Sequence, residues 1–532
     1  MPDQSVHMFI TSPPYFGMRD YKVPPCVWGG DLDCDHVWGP EIPAMYVSNW
    51  DSLIWNDGRP ADASMGWKNK VKNSKQATCG AFCQKCNAWK GSLGQEPEII
   101  LYVKHSLMLY TELHRVLRND GTFWLNIGDS YAGARSAGNM VFGNPAMARP
   151  CREKTKIPAK RIPAGLQSGD MCFIPHRTAL ALQGFTVISG DELWQLADWL
   201  KHASQMKNWA AVEWVESLLR GWAFTSQAVS TAGWRVRATI VWNKSNPLPE
   251  SAASRPTRDF EFVFLLAKSN KPQFWTHSED IKGTRQKPKP DYHWIHRETG
   301  EIVCEQPAGD PQQIKKEWKR FNCWNGHEYY FDMYAIKEPQ KEVSLKRAFS
   351  NNHLEIRKDQ GQNTYALSSQ AQAETLAKLR HAIKTGGDTR RNKRSTWIVP
   401  THSYKEAHFA TFPVELITPM ILAGTPFNVC SKCGAPWARV TKKEYEYLGP
   451  EEHEHDNTFP PQVHLGWYPT CDCDAKPSRA IVGDPFMGAG TVAVTATMLG
   501  RDYTGGEIGE NYIAMTNRRL TGITLPLPIE KQ

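Results

Sequence analysis

The chain has 532 residues, of which 22% are charged and 41% are hydrophobic, a balance typical of a globular protein. This length suffices for a catalytic domain with one or two smaller modules, and no apolar run approaches the roughly 20 residues that a membrane-spanning helix needs. The N-terminus also lacks a signal-peptide pattern, so we expect a cytoplasmic protein without a membrane partner. The net charge of +8 is compatible with a polyanionic partner.

The first predicted element is a buried strand over the apolar residues 6–10, which runs directly into Thr11-Ser12-Pro13-Pro14-Tyr15. The two prolines fix the backbone and lack an N–H, so the carbonyls of Ser12 and Pro13 are not absorbed into regular structure. Tyr15 adds a flat aromatic face. Rigid acceptors beside an aromatic ring can hold a planar group with an amino substituent, such as a base taken out of its stack. An ordinary proline turn is the alternative.

Two groups of cysteines have the spacing of metal ligands. A CxxC turn presents two thiolates on one side, and a second pair of ligands completes a tetrahedron around zinc. The predicted ligands are Cys34, His36, Cys83 and Cys86 in the first cluster and Cys430, Cys433, Cys471 and Cys473 in the second. We therefore predict two structural zinc sites. Cys79 or Cys26 is an alternative ligand in the first cluster, and free buried cysteines are the alternative for both.

A helix and a strand follow the first cluster. Apolar residues at helical spacing predict a helix over 98–117, which the turn Asn119-Asp120-Gly121 ends. The apolar residues after this turn predict a buried strand over 122–128.

Less regular sequence comes next. Residues 133–170 are rich in Gly, Ala, Pro, Arg and Lys and predict a mobile loop. A helix is predicted over 171–182, and two tryptophan-rich amphipathic helices are predicted over 191–202 and 209–220. We expect their aromatic faces to pack inside the protein, with a homodimer contact or base stacking as alternatives.

Basic residues lie beside two further predicted strands, over 234–242 and 260–267. Lys244 follows the first of these strands, and Arg255 and Arg258 precede the second. Because loops at strand ends form the ligand-binding edge of an α/β sheet, we predict that these side chains contact phosphates or line a pocket. Solvated loop charges are the alternative.

Residues 270–394 fit the alternating helix and strand pattern poorly. A hairpin is predicted over 292–304, a short basic helix over 315–320, and a basic cluster over 378–394. Such clusters with interleaved aromatic residues suit a surface that grips a duplex, and a solvated linker is the alternative for the last of them. The predicted contacts in that cluster are Arg390, Arg391, Lys393 and Arg394.

The last predicted elements form a nucleotide-binding corner. A strand over 480–483 leads into a glycine-rich turn, a helix over 492–499 and a strand over 503–506. Glycines let the backbone approach a ligand, and the helix N-terminus faces it. Glu507 follows the last strand, where a carboxylate can accept both hydroxyls of a ribose.

Two motifs together carry a family resemblance. Thr11 to Tyr15 resembles the catalytic motif of the DNA amino-methyltransferases, and Asp484 to Gly490 resembles their motif for S-adenosylmethionine. The catalytic motif comes first here, which resembles the circularly permuted β class and phage-type modification methylases with zinc-binding insertions. RNA and protein-amide methyltransferases have the opposite order. The resemblance implies a Rossmann-like α/β sheet with helices on both faces, inserted zinc-ribbon-like modules, a target-recognition region and double-stranded DNA as the partner.

The resemblance also implies roles for individual residues. The implied catalytic residues are Ser12, Pro13, Pro14 and Tyr15. The implied cofactor contacts are Thr11, Asp484, Pro485, Phe486, Gly488, Gly490, Thr491 and Glu507. Acceptors on Ser12 and Pro13 would bind the amino hydrogens of a flipped base, so that its nitrogen attacks the sulfonium methyl without an enzyme nucleophile.

The target base is expected to be cytosine. A serine at position 12 resembles the cytosine-N4 enzymes more than the adenine-N6 enzymes, which remain the first alternative. An inactive zinc-containing DNA-binding protein is the second alternative. Family members usually carry an acidic residue for the cofactor adenine before the catalytic strand. Because this chain begins close to that strand, we expect that another residue takes the role or that the chain is a shortened form.

The predicted layout alternates core segments with insertions. The core is expected over 1–25, 96–183, 231–269, 395–426 and 477–532, with zinc-binding insertions over 26–95 and 427–476, a helical insertion over 184–230 and the target-recognition region over 270–394. The second zinc-binding insertion precedes the cofactor motif, so we expect it to brace that motif or to extend the DNA surface.

Overall fold

In the computed structural model the described residues are 1–18, 21, 23–43, 78–132, 162–163, 166–184, 233–247, 255–271, 273–276, 292–296, 302–303, 306–322, 325–349, 379–380, 382–383, 388–402, 412–443, 462–471, 473, 475–521 and 523. The two helices predicted over 191–202 and 209–220 and most of the loop predicted over 133–170 lie outside these ranges.

A seven-stranded sheet forms the centre of the fold. Its strands are β1 (Val6–Thr11), β2 (Leu117–Ile127), β3 (Arg235–Asn243), β4 (Phe260–Ala267), β5 (Thr396–Ile398), β6 (Ile481–Asp484) and β7 (Asp502–Gly505), in the spatial order β5-β3-β4-β2-β1-β6-β7. Neighbouring strands are parallel except that β4 runs antiparallel to both β2 and β3. The first strand of the sheet in sequence therefore lies in the interior of the sheet, between β2 and β6.

Helices cover both faces of this sheet. They are α1 (Ile99–Val116), α2 (Ile174–Leu182), α3 (Val414–Gly424), α4 (Thr491–Met498) and α5 (Glu510–Leu520). Phe9 of β1 packs in one core cluster with α1 and α2, whereas Met8 and Ile10 pack in a second cluster with α3 and α4. The predicted α/β fold with helices on both faces is thus confirmed. In the part of the chain that the structure describes, no helix could cross a membrane.

Smaller sheets lie outside the central one. Four strands of the first insertion pair in the order Cys26–Trp28, Trp89–Gly91, Thr78–Phe82 and Ile42–Pro43. The other pairings are Asn428–Cys430 with Pro477–Arg479, Trp437–Lys443 with Gln462–Pro469, and Phe274–Thr276 with Asn325–His327. The remaining helices are Pro311–Glu317, Glu342–Phe349 and the 3-10 helix Met333–Ile336.

The hairpin predicted over 292–304 is present, because Tyr292–His296 pairs antiparallel with Ile302–Val303. The basic helix predicted over 315–320 is wrong. A helix begins at Pro311, where Asp310 caps the N–H of Gln313, and ends at Glu317. Trp318–Asn322 is instead a third strand that pairs with Tyr292–His296, so strand pairing overrides the local helical pattern.

The turn predicted at Asn119-Asp120-Gly121 lies within the bounds of β2. Val6 of β1 pairs with Leu117, and Met8 pairs with Thr122, so one residue of β1 lies opposite four residues of β2. The guanidinium of Arg118 donates to both carboxylate oxygens of Asp120 across this irregularity, at 2.8 and 2.9 Å. The turn signal therefore marks a bulge at the start of the strand.

Close packing between β1 and β6 generates the first prediction. A Cβ added at Gly483 would lie 2.3 Å from the ring of Phe9, which is buried. We expect Gly483→Ala to lower the free energy of unfolding by about 1–3 kcal/mol, because the ring cannot move away. Chemical denaturation would measure this change. The double variant Phe9→Leu with Gly483→Ala should lose less than the sum of the two single variants, and additive losses would contradict the packing argument.

Candidate active site and metal clusters

The parallel strands bring the predicted site residues to one edge of the sheet. Since β1, β2, β3, β6 and β7 run in the same direction, their carboxyl ends lie together, and the reversed strand β4 begins at that edge. Ser12 follows β1, Asp484 ends β6, and Glu261 is the second residue of β4. The sequence-predicted catalytic and cofactor motifs therefore meet, although they lie near opposite ends of the chain.

A buried hydrogen bond joins the two motifs directly. The hydroxyl of Thr11 donates to Oδ1 of Asp484 at 2.6 Å, and the backbone N–H of Phe486 donates to the same oxygen at 3.0 Å. Burial raises the pKa of Asp484 to about 7, and the charge of Glu507 adds to this rise. The hydrogen bond from Thr11 acts in the opposite direction, because it stabilises the carboxylate.

The loop that contains Ser12 and Tyr15 is held from three sides. The N–H of Gly17 donates to the carbonyl of Gly94 at 2.8 Å, and the hydroxyl of Tyr102 donates to the carbonyl of Pro14 at 3.0 Å. Gly94 has a φ of +88°, and a Cβ there would lie 3.1 Å from both Pro14 and the carbonyl oxygen of Tyr15. The loop conformation is therefore fixed by the backbone of Gly94 and the side chain of Tyr102.

Tyr15 belongs to a polar network that the sequence did not reveal. Its hydroxyl donates to Oε2 of Glu261 at 2.7 Å and lies 3.0 Å from Oγ of Ser12 and 3.2 Å from Oδ1 of Asn126. Glu261 also forms an ion pair with Lys244. Burial, followed by the charge of Glu261, raises the pKa of Tyr15 well above its usual value. The ring itself lies on Gly128, where a Cβ would come within 2.5 Å of it.

The glycine-rich turn after β6 leaves space beside two carboxylates. Gly488 has a φ of +51°, and a Cβ there would have no neighbour nearer than 3.8 Å. The carboxylate of Glu507 accepts hydrogen bonds from the N–H of Gly488 at 2.8 Å and from the N–H of Gly509 at 2.7 Å. Each carboxylate oxygen keeps a second lone pair, so Glu507 can still accept a hydroxyl. The turn could thus hold an adenosyl group.

All four predicted ligands of the first cysteine cluster come together. The ligand atoms of Cys34, His36, Cys83 and Cys86 lie within 4.8 Å of one another. The residue after the CxxC turn, Asn87, has a φ of +58°, as the tight turn requires. Of the alternative ligands, Cys26 is exposed and does not join the cluster.

The second cluster has the same internal geometry. The thiol sulfurs of Cys430, Cys433, Cys471 and Cys473 also lie within 4.8 Å of one another, and Gly434 has a φ of +69° after the CxxC turn. Three or four thiolates at such distances form a donor set that suits Zn²⁺.

This second cluster lies at the amino edge of the sheet, opposite the cofactor motif. Nε2 of His7 donates to the carbonyl of Gly434 at 3.2 Å, while its Nδ1 accepts from the N–H of Ile481 at 3.0 Å. Arg118 donates to the carbonyl of Cys433 at 3.0 Å. Burial lowers the pKa of His7 to about 4, so this bridge is neutral. The described residues thus correct the expectation that the cluster braces the cofactor turn: they contact the starts of β1, β2 and β6.

Three predicted DNA contacts lie at the carboxyl edge. Lys244 is paired with Glu261. The guanidinium of Arg255 lies 3.6 Å from the centre of the Tyr131 ring, and that of Arg258 lies 5.8 Å from it. Both guanidinium groups thus lie near the Tyr131 ring, and Arg258 also donates to the carbonyl of Asp129 at 2.5 Å.

The predicted contacts after 388 are mostly ion-paired. Arg390 pairs with Asp388 at 2.8 Å, whereas Arg391 and Lys393 pair with Glu338 at 3.4 and 3.0 Å. Arg394 is exposed. A phosphate would have to compete with an acidic side chain at three of these four positions.

Comparison with known proteins identifies the family. The sequence profile of the DNA methylase family matches residues 6–428 and 436–518. The chain belongs to this family. It is 31% identical to the type II methyltransferase M.SmaI of Serratia marcescens over 431 residues, which is 81% of this chain and 77% of the relative. It is 24% identical to the type II methyltransferase M.Cfr9I of Citrobacter freundii over 430 residues, 81% of this chain and 75% of the relative.

Among solved structures, the cytosine-N4-specific PvuII DNA methyltransferase is 10% identical and superimposes with a TM-score of 0.32, covering 98% of this chain and 83% of that one. The family match and the sequence relatives establish the chain as a DNA methyltransferase of the N4/N6 amino type that uses S-adenosylmethionine.

The sequence missed the residues that support the predicted catalytic loop of this DNA methyltransferase. The buried carboxylate of Glu96 accepts from the N–H of Gly94 at 2.8 Å and pairs with His105 at 3.1 Å. The His105 ring is stacked between Trp28 and Trp89, at centroid distances of 5.1 and 5.2 Å. One signal was available for Glu261, which stands between two phenylalanines at the start of a predicted strand.

The buried carboxyl of Asp484 predicts a dependence of stability on pH. Its pKa is raised from 3.8 to about 7 in the folded protein, so the unfolded chain loses this proton first as the pH rises. The contribution of Asp484 to stability should therefore fall between about pH 4 and 7 and remain low above that range.

The variant Asp484→Asn cannot ionise at this position. We expect its melting temperature, relative to that of the wild type, to rise between pH 5 and pH 8 in scanning calorimetry. Other titrating groups, including His7, are common to both proteins and cancel in the difference. A difference that stays constant across this range would show that Asp484 is not perturbed.

Proposed function

We propose that this enzyme methylates the exocyclic N4 of cytosine in double-stranded DNA, with Ser12-Pro13-Pro14-Tyr15 as the loop that binds the target amine. The hydrogen bond from Thr11 to Asp484 is the observation that carries the assignment of the loop, because it joins positions 473 residues apart in sequence. Ser12 is the next residue in the chain after Thr11. The predicted amine-binding loop is thereby held beside the predicted cofactor motif. The serine at position 12 favours cytosine over adenine as the target.

The residues around Asp484 fit S-adenosylmethionine. Gly488 leaves space for a ligand, and Glu507 is oriented by two backbone amides to accept the ribose hydroxyls. Phe486 would lie against the adenosyl group. The bound cofactor supplies a methyl group on a sulfonium, and the electron pair of the broken C–S bond stays with the sulfur. Pro485, Gly490 and Thr491 complete the proposed contacts at the start of α4.

The chain's own residues would prepare the amine. The nitrogen lone pair of cytosine N4 is delocalised into the ring, so it is a weak nucleophile. Oγ of Ser12 and the carbonyl of Pro13 would accept its two hydrogens and localise the lone pair. Among the described residues none donates to the Pro13 carbonyl, which leaves this acceptor available. The contacts of Gly94 and Tyr102 fix both acceptors before the base enters.

The DNA would lie across the carboxyl edge. We propose that Arg255 and Arg258 contact phosphates near the flipped base and that the segment 270–394 contacts the duplex. Arg394 is exposed and can bind a phosphate directly. Arg390 would first have to release Asp388, and Arg391 and Lys393 would have to release Glu338. Lys244 is better explained as a wall of the base pocket, because it is paired with Glu261.

Nucleoside mass spectrometry tests the proposed reaction. Plasmid DNA incubated with the purified protein and isotopically labelled S-adenosylmethionine should acquire label in N4-methylcytosine. Label in N6-methyladenine would keep the enzyme class and overturn the assigned base. The variant Ser12→Ala should lower the rate of methyl transfer about 10²-fold or more, as expected for loss of one oriented hydrogen-bonding group, with cofactor binding unchanged in calorimetry.

A matched serine serves as the control. The hydroxyl of Ser5 is exposed and bonds the carbonyl of Pro2, at the other end of β1. Ser5→Ala should keep the wild-type rate. Full activity of Ser12→Ala would show that the amine-binding loop is wrongly assigned.

We also propose that each cysteine cluster binds one structural Zn²⁺. Elemental mass spectrometry of the purified protein should find two zinc ions per chain. Cys471→Ser should leave one, and the melting temperature should fall by several degrees, because a structural zinc contributes folding free energy. Cys26 lies outside both clusters, so Cys26→Ser should retain two ions. A zinc content that Cys471→Ser does not change would refute the second site.

A further inference from the structure

We propose that Glu261 is the final acceptor of the proton that the target amine loses, and that the proton reaches it through the hydroxyls of Ser12 and Tyr15. This inference rests on the proposed function, since it takes Ser12 as the residue that binds the amine. It adds to the reaction a catalytic base on β4, a strand to which neither predicted motif belongs.

The hydrogen bonds form an ordered line from the pocket into the protein. Oγ of Ser12 lies 3.0 Å from the hydroxyl of Tyr15, which lies 2.7 Å from Oε2 of Glu261. Tyr15 has a single proton, and the charged carboxylate is its strongest acceptor. The hydroxyl of Ser12 must then donate to the Tyr15 oxygen, which leaves the lone pairs of Ser12 for the amine.

Asn126 fixes the direction of this line. Its amide group donates to Oε2 of Glu261 at 3.3 Å and to the carbonyl of Phe262 at 3.2 Å. With the amide nitrogen turned toward β4, the amide oxygen faces the hydroxyl of Tyr15 at 3.2 Å. The amide oxygen is therefore a second and more distant acceptor for the Tyr15 hydroxyl, but a neutral amide does not take up the proton.

The proton that the amine releases is taken up, at the end of the relay, by Glu261. When the amine nitrogen forms its bond to the methyl carbon, it becomes positively charged, and an N–H bond must break to restore the neutral methylamine. The proton passes to Oγ of Ser12 while the proton of Ser12 passes to Tyr15 and that of Tyr15 passes to Glu261. Each hydroxyl ends with one proton, and the carboxylate becomes a carboxylic acid.

The surroundings suit a relay in which Tyr15 is never a free phenolate. Burial and the charge of Glu261 raise the pKa of Tyr15 well above its usual value, so it must receive a proton as it gives one away. Lys244 faces Glu261 from the end of β3 and forms an ion pair with its carboxylate. The other titratable groups nearby are Tyr21, which acts on Tyr15, and Asp259 on the approach to β4, which accepts from Asn243 at 2.9 Å.

Glu261→Gln separates proton transfer from hydrogen bonding. The amide oxygen still accepts from Tyr15, but the side chain cannot take up a proton. We expect the single-turnover rate of methyl transfer on plasmid DNA to fall about 10²-fold or more, the range of a general base. Binding of S-adenosylmethionine in calorimetry and of DNA in gel-shift assays should change less than about two-fold. Tyr15→Phe, which keeps the ring, should show the same pattern.

The pH profile gives a second readout. The wild-type single-turnover rate should decline at acid pH, because a protonated carboxyl at position 261 cannot accept the proton. Glu261→Gln should lack this decline, and Glu261→Asp should restore part of the rate together with the pH dependence. Asp332→Asn is the matched control, since Asp332 is a buried carboxylate paired with Arg439 at 2.9 Å on another part of the fold. It should keep the wild-type profile.

The outcomes separate this inference from the proposed function. If Glu261→Gln keeps the wild-type rate while Ser12→Ala is inactive, the relay is wrong and the amine-binding loop stands. If Ser12→Ala is fully active, the loop itself is wrong. A third outcome is that Glu261→Gln loses activity only because its melting temperature, or its binding of DNA or cofactor, falls sharply. In that case Glu261 is a positioning residue, and its role as proton acceptor is overturned.

Discussion

The site depends on the buried hydrogen bond between Thr11 and Asp484. A carboxyl group that is almost inaccessible to water is costly to ionise, and its pKa of about 7 reflects that cost. The hydroxyl of Thr11 and the N–H of Phe486 compensate part of it. Because β1 and β6 are adjacent parallel strands, the same bond fixes where the loop after β1 meets the turn after β6.

Two clusters of ordered contacts support the sheet at its two edges. At the carboxyl edge, the pair of Glu96 with His105 holds Gly94, and Gly94 in turn holds the catalytic loop. At the amino edge, the neutral ring of His7 links the second cysteine cluster to β1 and β6. Gly94 belongs to the first insertion, which therefore contacts the predicted catalytic loop directly. The second cysteine cluster acts through the strands, because His7 and Arg118 bind it at the amino ends of β1 and β2.

Most of the core could be predicted from the sequence, because short patterns of apolar residues indicate which segments are buried. Buried strands such as 260–267 and the amphipathic helix near 98–117 carry periodic apolar residues that reveal burial without knowledge of partners. The strand Trp318–Asn322 was missed because its pairing partner lies 26 positions earlier, at Tyr292–His296, and only that contact decides its conformation.

The residues of the candidate site also differ in whether a local sequence pattern could reveal them. The four ligands of each cysteine cluster could be predicted because CxxC spacing is itself a geometric constraint. The link between Tyr15 and Glu261 could not, because it joins positions 246 residues apart and depends on the reversed direction of β4. Predicted phosphate contacts such as Lys244 were obscured for a similar reason, since a sequence shows a charge but not its ion-pair partner.

The interior position of β1 has a consequence for how the chain acquires its structure. One of the two neighbours of this strand is β6, which is synthesised about 470 residues after it. Until then one side of a fully buried apolar strand has no partner, and unpaired strand edges promote aggregation. The high contact order of this pairing makes slow folding the expected behaviour. The order of the motifs thus delays completion of the sheet, and the hydrogen bond between Thr11 and Asp484 can form only after β6 has been synthesised.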